Sequence, residues 1–203
     1  MPEFHTASFP NDPAVYMSPT WKDMNLLAFK ISQKIKAKES KKFDRIITLA
    51  KGGWPMTRSL VDFLSISKVA SIGVKFYCGI AERLEQPEIY QDIPISVRGE
   101  TVLLFDDVAD TGESLIFTKD YLKTKGVKQV STATLFYKPH SKYKPDYYGA
   151  ETPAWIVFPY EIFEAMEMLS NKWTQLDVKP KEIRQRFEKM RFPKEYLEAA
   201  SIE

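Results

Sequence analysis

The stretch from Thr101 to Gly126 constrains the fold more than any other part of this chain. Thr101-Val102-Leu103-Leu104-Phe105 is an apolar run with the length of a buried strand. Two carboxylates, Asp106 and Asp107, follow it at once. Thr111-Gly112-Glu113-Ser114 then opens a helix that Gly126 closes. A buried strand that passes through a short loop into a helix is a βα unit. In open sheets built from such units, ligands bind outside the carboxyl ends of the strands.

Similar units recur. Arg45 to Leu49 reads as a short strand, Ala50-Lys51-Gly52-Gly53 as a loop, about Trp54 to Leu64 as a helix, and Val69 to Phe76 as a strand. Gln129 to Tyr137 supplies a fourth strand and Trp155 to Phe158 a fifth. The alternation predicts an α/β fold, a mainly parallel five-stranded sheet flanked by helices. Ahead of it, Met1 to Met17 reads as an extended arm rich in proline and aromatic residues. Ser18-Pro19 reads as an N-cap with proline at the first helical position, and Trp21, Met24, Ala28, Ile31 and Ile35 give the helix one packed face. The charged run Lys36 to Lys42 ends that helix as a solvated turn.

Cys78 to Arg98 is polar, contains Pro87 and Pro94 and has no sustained period. Its length predicts a loop of the lid type. Lys138 to Pro153 reads as an aromatic, proline-containing excursion. After Pro159 the pattern turns helical over Glu161–Asn171, Pro180–Met190 and Pro193–Ala200. The expected organisation is a catalytic domain over residues 1–160, with its arm at 1–17, and a three-helix C-terminal extension over 161–203. No internal repeat is visible.

Composition removes several classes of function. The net charge of +2 and pI near 8.4 are too mild for a nucleic-acid partner. Cys78 is the single cysteine, so no intrachain disulfide can form and nothing points to an oxidising compartment. Pro2, Pro10, Pro13, Pro19 and Asp12 interrupt the first twenty residues, so no signal peptide is expected there. No apolar window is long enough for a transmembrane helix, and a cytoplasmic setting is expected.

Leu103 to Ser114 carries the chemistry. The helix start leaves backbone N–H groups to cradle a phosphate, assisted by the helix dipole. Asp106 and Asp107 would repel a bare anion, but a sugar phosphate has hydroxyls that can donate to them. In Ala50-Lys51-Gly52-Gly53 the glycines permit backbone angles that turn N–H groups toward an anion, and Lys51 adds charge.

This twelve-residue pattern resembles the signature of the type I phosphoribosyltransferases, and the resemblance extends over about residues 43–161. It implies that fold, with Asp106 and Asp107 on the ribose hydroxyls of 5-phosphoribosyl-1-pyrophosphate. Asp110, Thr111, Gly112, Glu113 and Ser114 would hold its 5-phosphate. Ala50, Lys51, Gly52 and Gly53 resemble the pyrophosphate loop, to which Lys75 and Tyr77, at the lid entrance, would add contacts. Lys138, Trp155 and Ile156 resemble the base-binding elements of the 6-oxopurine branch, where an aromatic ring stacks on the purine. Glu161 would lie near the metal and pyrophosphate, reaching the metal through water.

The implied reaction moves 5-phosphoribose to purine N9 with inversion at the anomeric carbon. Mg²⁺ is the implied cofactor, held on pyrophosphate and ribose oxygens and beside Asp106 and Asp107. Asp110 is the implied catalytic group, acting on the proton at purine N7. No protein nucleophile is needed, and neither His5 nor His140 receives a role. The expected partners are the phosphoribosyl donor and a purine, within a homodimer. Lys138 favours a 6-oxopurine, whereas the helical tail resembles a crenarchaeal type of adenine phosphoribosyltransferase. The balance leans to adenine, with a 6-oxopurine enzyme as the alternative. A non-catalytic module that senses purine or donor is the remaining reading; the short leader without a helix-turn-helix pattern, Asp110 and the Lys-Gly-Gly loop all weigh toward an enzyme.

Overall fold

A computed structural model describes residues 4–39, 42–77 and 83–200, without the side chains of 76, 77 and 83–86. The chain begins with β1 (Thr6–Phe9), β2 (Asp12–Met17) and α1 (Trp21–Lys38), followed by β3 (Arg45–Ala50) and α2 (Trp54–Leu64). Next come β4 (Val69–Tyr77), β5 (Arg83–Gln91), β6 (Thr101–Ala109), α3 (Glu113–Thr124) and β7 (Gln129–Tyr137). β8 (Tyr147–Glu151), β9 (Trp155–Ile156), α4 (Ile162–Gln175), α5 (Pro180–Lys189) and α6 (Lys194–Ala199) complete it. By internal contacts the residues fall into two units, Met24–Thr152 and Met1–Asp23 together with Pro153–Glu203. The sequence boundary drawn after residue 160 cuts the chain differently.

In Met24–Thr152 the sheet has six strands in the order β5-β4-β3-β6-β7-β8, where five were expected. Every pairing is parallel except β4 with β5. Val102 to Phe105 of β6 are all buried, as a central strand covered on both faces requires. Ile47, Ile72, Val102 and Leu104 belong to the core of this unit.

Four of the expected strands are β3, β4, β6 and β7. The fifth is not in this sheet: Trp155–Ile156 pairs in parallel with β2 instead. The outer places go to β5 and β8. β5 lies within the segment expected to be a lid, of which residues 78–82 and the single cysteine, Cys78, fall outside the described residues. Its Pro87 lacks an N–H, which an edge strand tolerates. β8 lies within the excursion before Pro153 and runs parallel to β7.

The other unit is built differently. Within the expected arm, Thr6 to Met17 form a β-hairpin, turning at Pro10-Asn11 with Asn11 at φ 61°. The start of α1 also moves two residues along from Ser18. Thr20 Oγ1 accepts from the Asp23 N–H at 3.2 Å while Asp23 accepts from the Thr20 N–H at 2.8 Å, a reciprocal cap. α4, α5 and α6 are the three helices expected after Pro159. Phe9, Tyr16, Leu169, Trp173, Phe187 and Met190 pack a largely aromatic core in this unit. Within that core Asp12 accepts hydrogen bonds from Tyr16 Oη (2.5 Å), Trp173 Nε1 (2.7 Å) and Lys172 Nζ (2.9 Å). Burial opposes the charge on Asp12, but these donors win and hold its carboxyl far below the usual range.

Candidate active site

β3 and β6 are adjacent, β4 lies beyond β3, and β7 lies beyond β6. Chain connections therefore diverge between β3 and β6, which makes this the switch point where open α/β sheets bind ligands. The loops that follow these two strands are Lys51–Gly53 and Asp110–Gly112.

These loops touch through glycines. A Cβ built on Gly52 would fall onto the Asp107 carboxylate, with Asp107 Cγ only 2.7 Å away. Gly112 has φ +80°, and a Cβ there would meet Ser141 Oγ at 2.6 Å and Tyr143 Cβ at 2.7 Å. Glycine is required at both places for the backbone to approach so closely. The Ala50–Lys51 peptide is cis.

Asp106 to Ala109 close β6, with Asp107 buried and Asp106 partly so, and Asp106 Oδ1 accepts from the Asp107 N–H at 3.0 Å. Asp106, Asp107, Asp110, Thr111, Gly112 and Ser114 line a cavity of about 210 Å³. That is below the roughly 300–1,000 Å³ of drug-sized pockets and suits a fragment such as a sugar phosphate. α3 starts at Glu113, whose N–H donates to Thr111 Oγ1 at 3.4 Å, while the Ile116 N–H donates to the Gly112 carbonyl at 3.1 Å; the amides of Ser114 and Leu115 between them have no intrahelical acceptor. Glu113 itself is ion-paired with Lys142 at 2.8 Å.

Lys138 is the clearest outlier. It is only 7% exposed, at the end of β7, and its N–H donates to the Ala109 carbonyl at 3.0 Å. Burial pushes its ammonium below the ordinary lysine value, while the Asp110 carboxylate works in the opposite direction. Asp110 is exposed and meets His140 Nε2 at 3.1 Å.

The switch point thus brings together Ala50–Gly53, Asp106–Ser114 and Lys138. Lys75 is exposed on β4 beside Tyr90, its Nζ 5.1 Å from the ring centroid, and the Tyr77 side chain lies outside the described residues. Trp155, Ile156 and Glu161 belong to the other unit. There Trp155 is exposed and stacks on Tyr16, with ring centroids 5.7 Å apart, Ile156 is buried, and Glu161 precedes the first turn of α4.

Two neighbours of the site escaped the sequence reading. His140 partners Asp110 across thirty positions, and Tyr90 Oη donates to the Ala50 carbonyl at 3.4 Å. The only sequence signal for His140 is its place two residues after Lys138; Tyr90 has none.

Mg²⁺ prefers hard oxygen ligands and retains waters. The carboxylates of Asp106 and Asp107 fit that preference. Among the described residues no group of three or more His, Cys, Asp or Glu side chains is placed to hold a metal unaided.

A glycine-bearing loop and a helix-opening loop flank paired carboxylates at a switch point of an α/β sheet, an arrangement whose chemistry suits a sugar phosphate. Residues 21–162 match the family described as the phosphoribosyl transferase domain, and the chain belongs to that family. Among solved structures it is similar to the purine phosphoribosyltransferase from Pyrococcus horikoshii Ot3. The two are 33% identical with a TM-score of 0.64, over 71% of this chain and 93% of that one. The Xanthine-Guanine-Hypoxanthine Phosphoribosyltransferase of Helicobacter pylori shares the fold, with a TM-score of 0.61 at 21% identity, over 77% of this chain and 99% of that one. A curated relative, the hypoxanthine-guanine phosphoribosyltransferase of Streptococcus thermophilus (strain CNRZ 1066), is 26% identical over 98 residues, 48% of this chain. That match spans 54% of the relative's own length.

Proposed function

We propose that this chain is a 6-oxopurine phosphoribosyltransferase, making a purine nucleoside 5′-monophosphate and pyrophosphate from a purine and 5-phosphoribosyl-1-pyrophosphate. The observation that carries the reading is Lys138, a buried ammonium beside Asp110. An ammonium offers only donors, so it matches a 6-oxo group and opposes the 6-amino group of adenine. Relatives named for hypoxanthine and guanine support the same choice. The adenine preference expected from the C-terminal helices is replaced on both grounds.

Asp106 and Asp107 orient the ribose hydroxyls, and Thr111 to Ser114 hold the 5-phosphate at the start of α3. Lys51, Lys75 and the amide of Gly52 neutralise the departing pyrophosphate, whereas the Gly53 N–H expected to join them donates instead to the Leu49 carbonyl at 3.0 Å. Asp106 and Asp107 would hold Mg²⁺, which would supply positive charge to the leaving group. Purine N9 bonds to the anomeric carbon as the bond to pyrophosphate breaks, and Asp110 takes up the proton displaced from the base at N7. The base contacts of Trp155 and Ile156 and the metal-side role of Glu161 rest on the family resemblance alone. Residues 1–160 form the catalytic region, 161–203 the extension, and the protein works as a homodimer.

The test is pyrophosphate release from the donor with Mg²⁺ and, separately, hypoxanthine, guanine, xanthine and adenine. Preferred turnover of a 6-oxopurine is expected. Preference for adenine would reverse the base assignment. Tight donor or nucleotide binding without turnover of any purine would indicate a sensing module.

A further inference from the structure

Lys138-Pro139-His140-Ser141 is a closed turn, because the Ser141 N–H donates to the Lys138 carbonyl at 3.0 Å. Proline sits at its second position, where a fixed φ suits such turns. Two backbone hydrogen bonds of 3.0 Å stitch the turn to the end of β6. Lys138 N–H donates to Ala109, and Lys142 N–H donates to Thr111. Gly112 brings the helix-opening loop against Ser141 and Tyr143. The loop that holds Asp110 and the turn that holds His140 are thereby fixed relative to each other on both sides of the Asp110–His140 contact.

Asp110 needs such a partner. Its side chain is 61% exposed and on its own would sample several rotamers. His140 Nε2 at 3.1 Å from Oδ1 restricts that sampling. Exposed pairs of this kind add little to folding stability, so the contact has small value as a fold-stabilising element. Its value lies in aim. A carboxylate that accepts a proton from a base must already point at it, and a misplacement of about 1 Å can cost on the order of a hundredfold in rate. Lys138, on the same turn, feels the Asp110 charge, and the Glu113–Lys142 ion pair, Asp106 and Asp107 supply the other charges nearby.

We propose that His140 is the positioning residue for Asp110. Nε2–H donates to Oδ1, and Oδ2 is left to take the proton from the purine. The neutral ring does this only as the tautomer that carries its hydrogen on Nε2. The inference rests on the reading of Asp110 as the proton acceptor of the base.

Steady-state kinetics of the full chain test it, with the donor, Mg²⁺ and the best purine of the panel. His140→Ala should lower kcat about tenfold, with both KM values within about twofold, because aim is lost and binding is not. His140→Gln, which offers an amide N–H at comparable reach, should restore kcat to within about threefold of the parent. In an Asp110→Asn background, His140→Ala should cost almost nothing further, since the pair acts as a unit. A parental kcat in His140→Ala would overturn the inference. So would a raised purine KM at constant kcat, or a Gln variant no better than Ala. A parent chain that releases no pyrophosphate with any purine would sink the activity reading and this inference with it. An active parent with an unaffected His140→Ala sinks the inference alone.

Discussion

The carboxylate of Asp107 occupies the space that a side chain on residue 52 would need. One contact therefore couples the loop after β3 to the last residues of β6 across the switch point. Gly52→Ala must displace either Asp107 or the loop. Overpacking of this kind costs about 1–3 kcal/mol, and here it should also weaken donor binding. Urea unfolding and donor titration calorimetry of the variant check the two effects. Unchanged donor affinity would show that the loop and Asp107 do not act on one ligand.

Asp110→Asn should reduce kcat by about tenfold to a thousandfold, within the range of a positioned acid–base group. Affinity for the nucleotide product should be largely kept, because the phosphate is held by N–H and O–H donors of Thr111 to Ser114 that the substitution leaves in place. Turnover at the parental rate would remove Asp110 from the chemistry.

Lys138→Ala should lower kcat/KM for a 6-oxopurine by about a hundredfold, since the 6-oxo group would be left without its donor in a dry pocket. Adenine turnover, already low, should change by no more than about a few-fold. A variant that keeps full hypoxanthine and guanine turnover would take Lys138 out of base recognition.

Asp12 sets an expectation for acid stability. Its folded-state value lies below the unfolded one, so its contribution is fully present above the unfolded value, about pH 4, and is lost as pH falls through the folded value. Unfolding free energy should therefore decline below about pH 4, and Asp12→Asn should flatten that decline. At neutral pH, Asp12→Ala should destabilise by about 3 kcal/mol or more, because Lys172, Tyr16 and Trp173 lose a shared acceptor. Urea denaturation across pH, followed by the fluorescence of buried Trp173, measures both. An Asp12→Ala variant as stable as the parent would show that the cluster adds nothing net.

By itself the sequence determined the parallel βα framework and most of the switch-point site. Buried central strands must be nearly continuous in apolar residues, so Arg45–Leu49, Val69–Phe76, Thr101–Phe105 and Gln129–Tyr137 were each visible as local runs. Asp106, Asp107, Asp110 and the Lys51-Gly52-Gly53 loop were legible for a related reason: phosphate cradles need particular residues in consecutive order. Tertiary structure alone decided the rest. β5 and β8 are outer strands whose mixed sequences, broken by Pro87 or Gly149, pair only because a neighbouring edge is present. Trp155–Ile156 looked like one more strand of the main sheet, but strand partners are chosen by long-range packing, and β2 took it. His140 on Asp110 and Lys172 on Asp12 join residues 30 and 160 positions apart. No local pattern encodes such contacts, because they exist only once distant backbone segments have been fixed side by side.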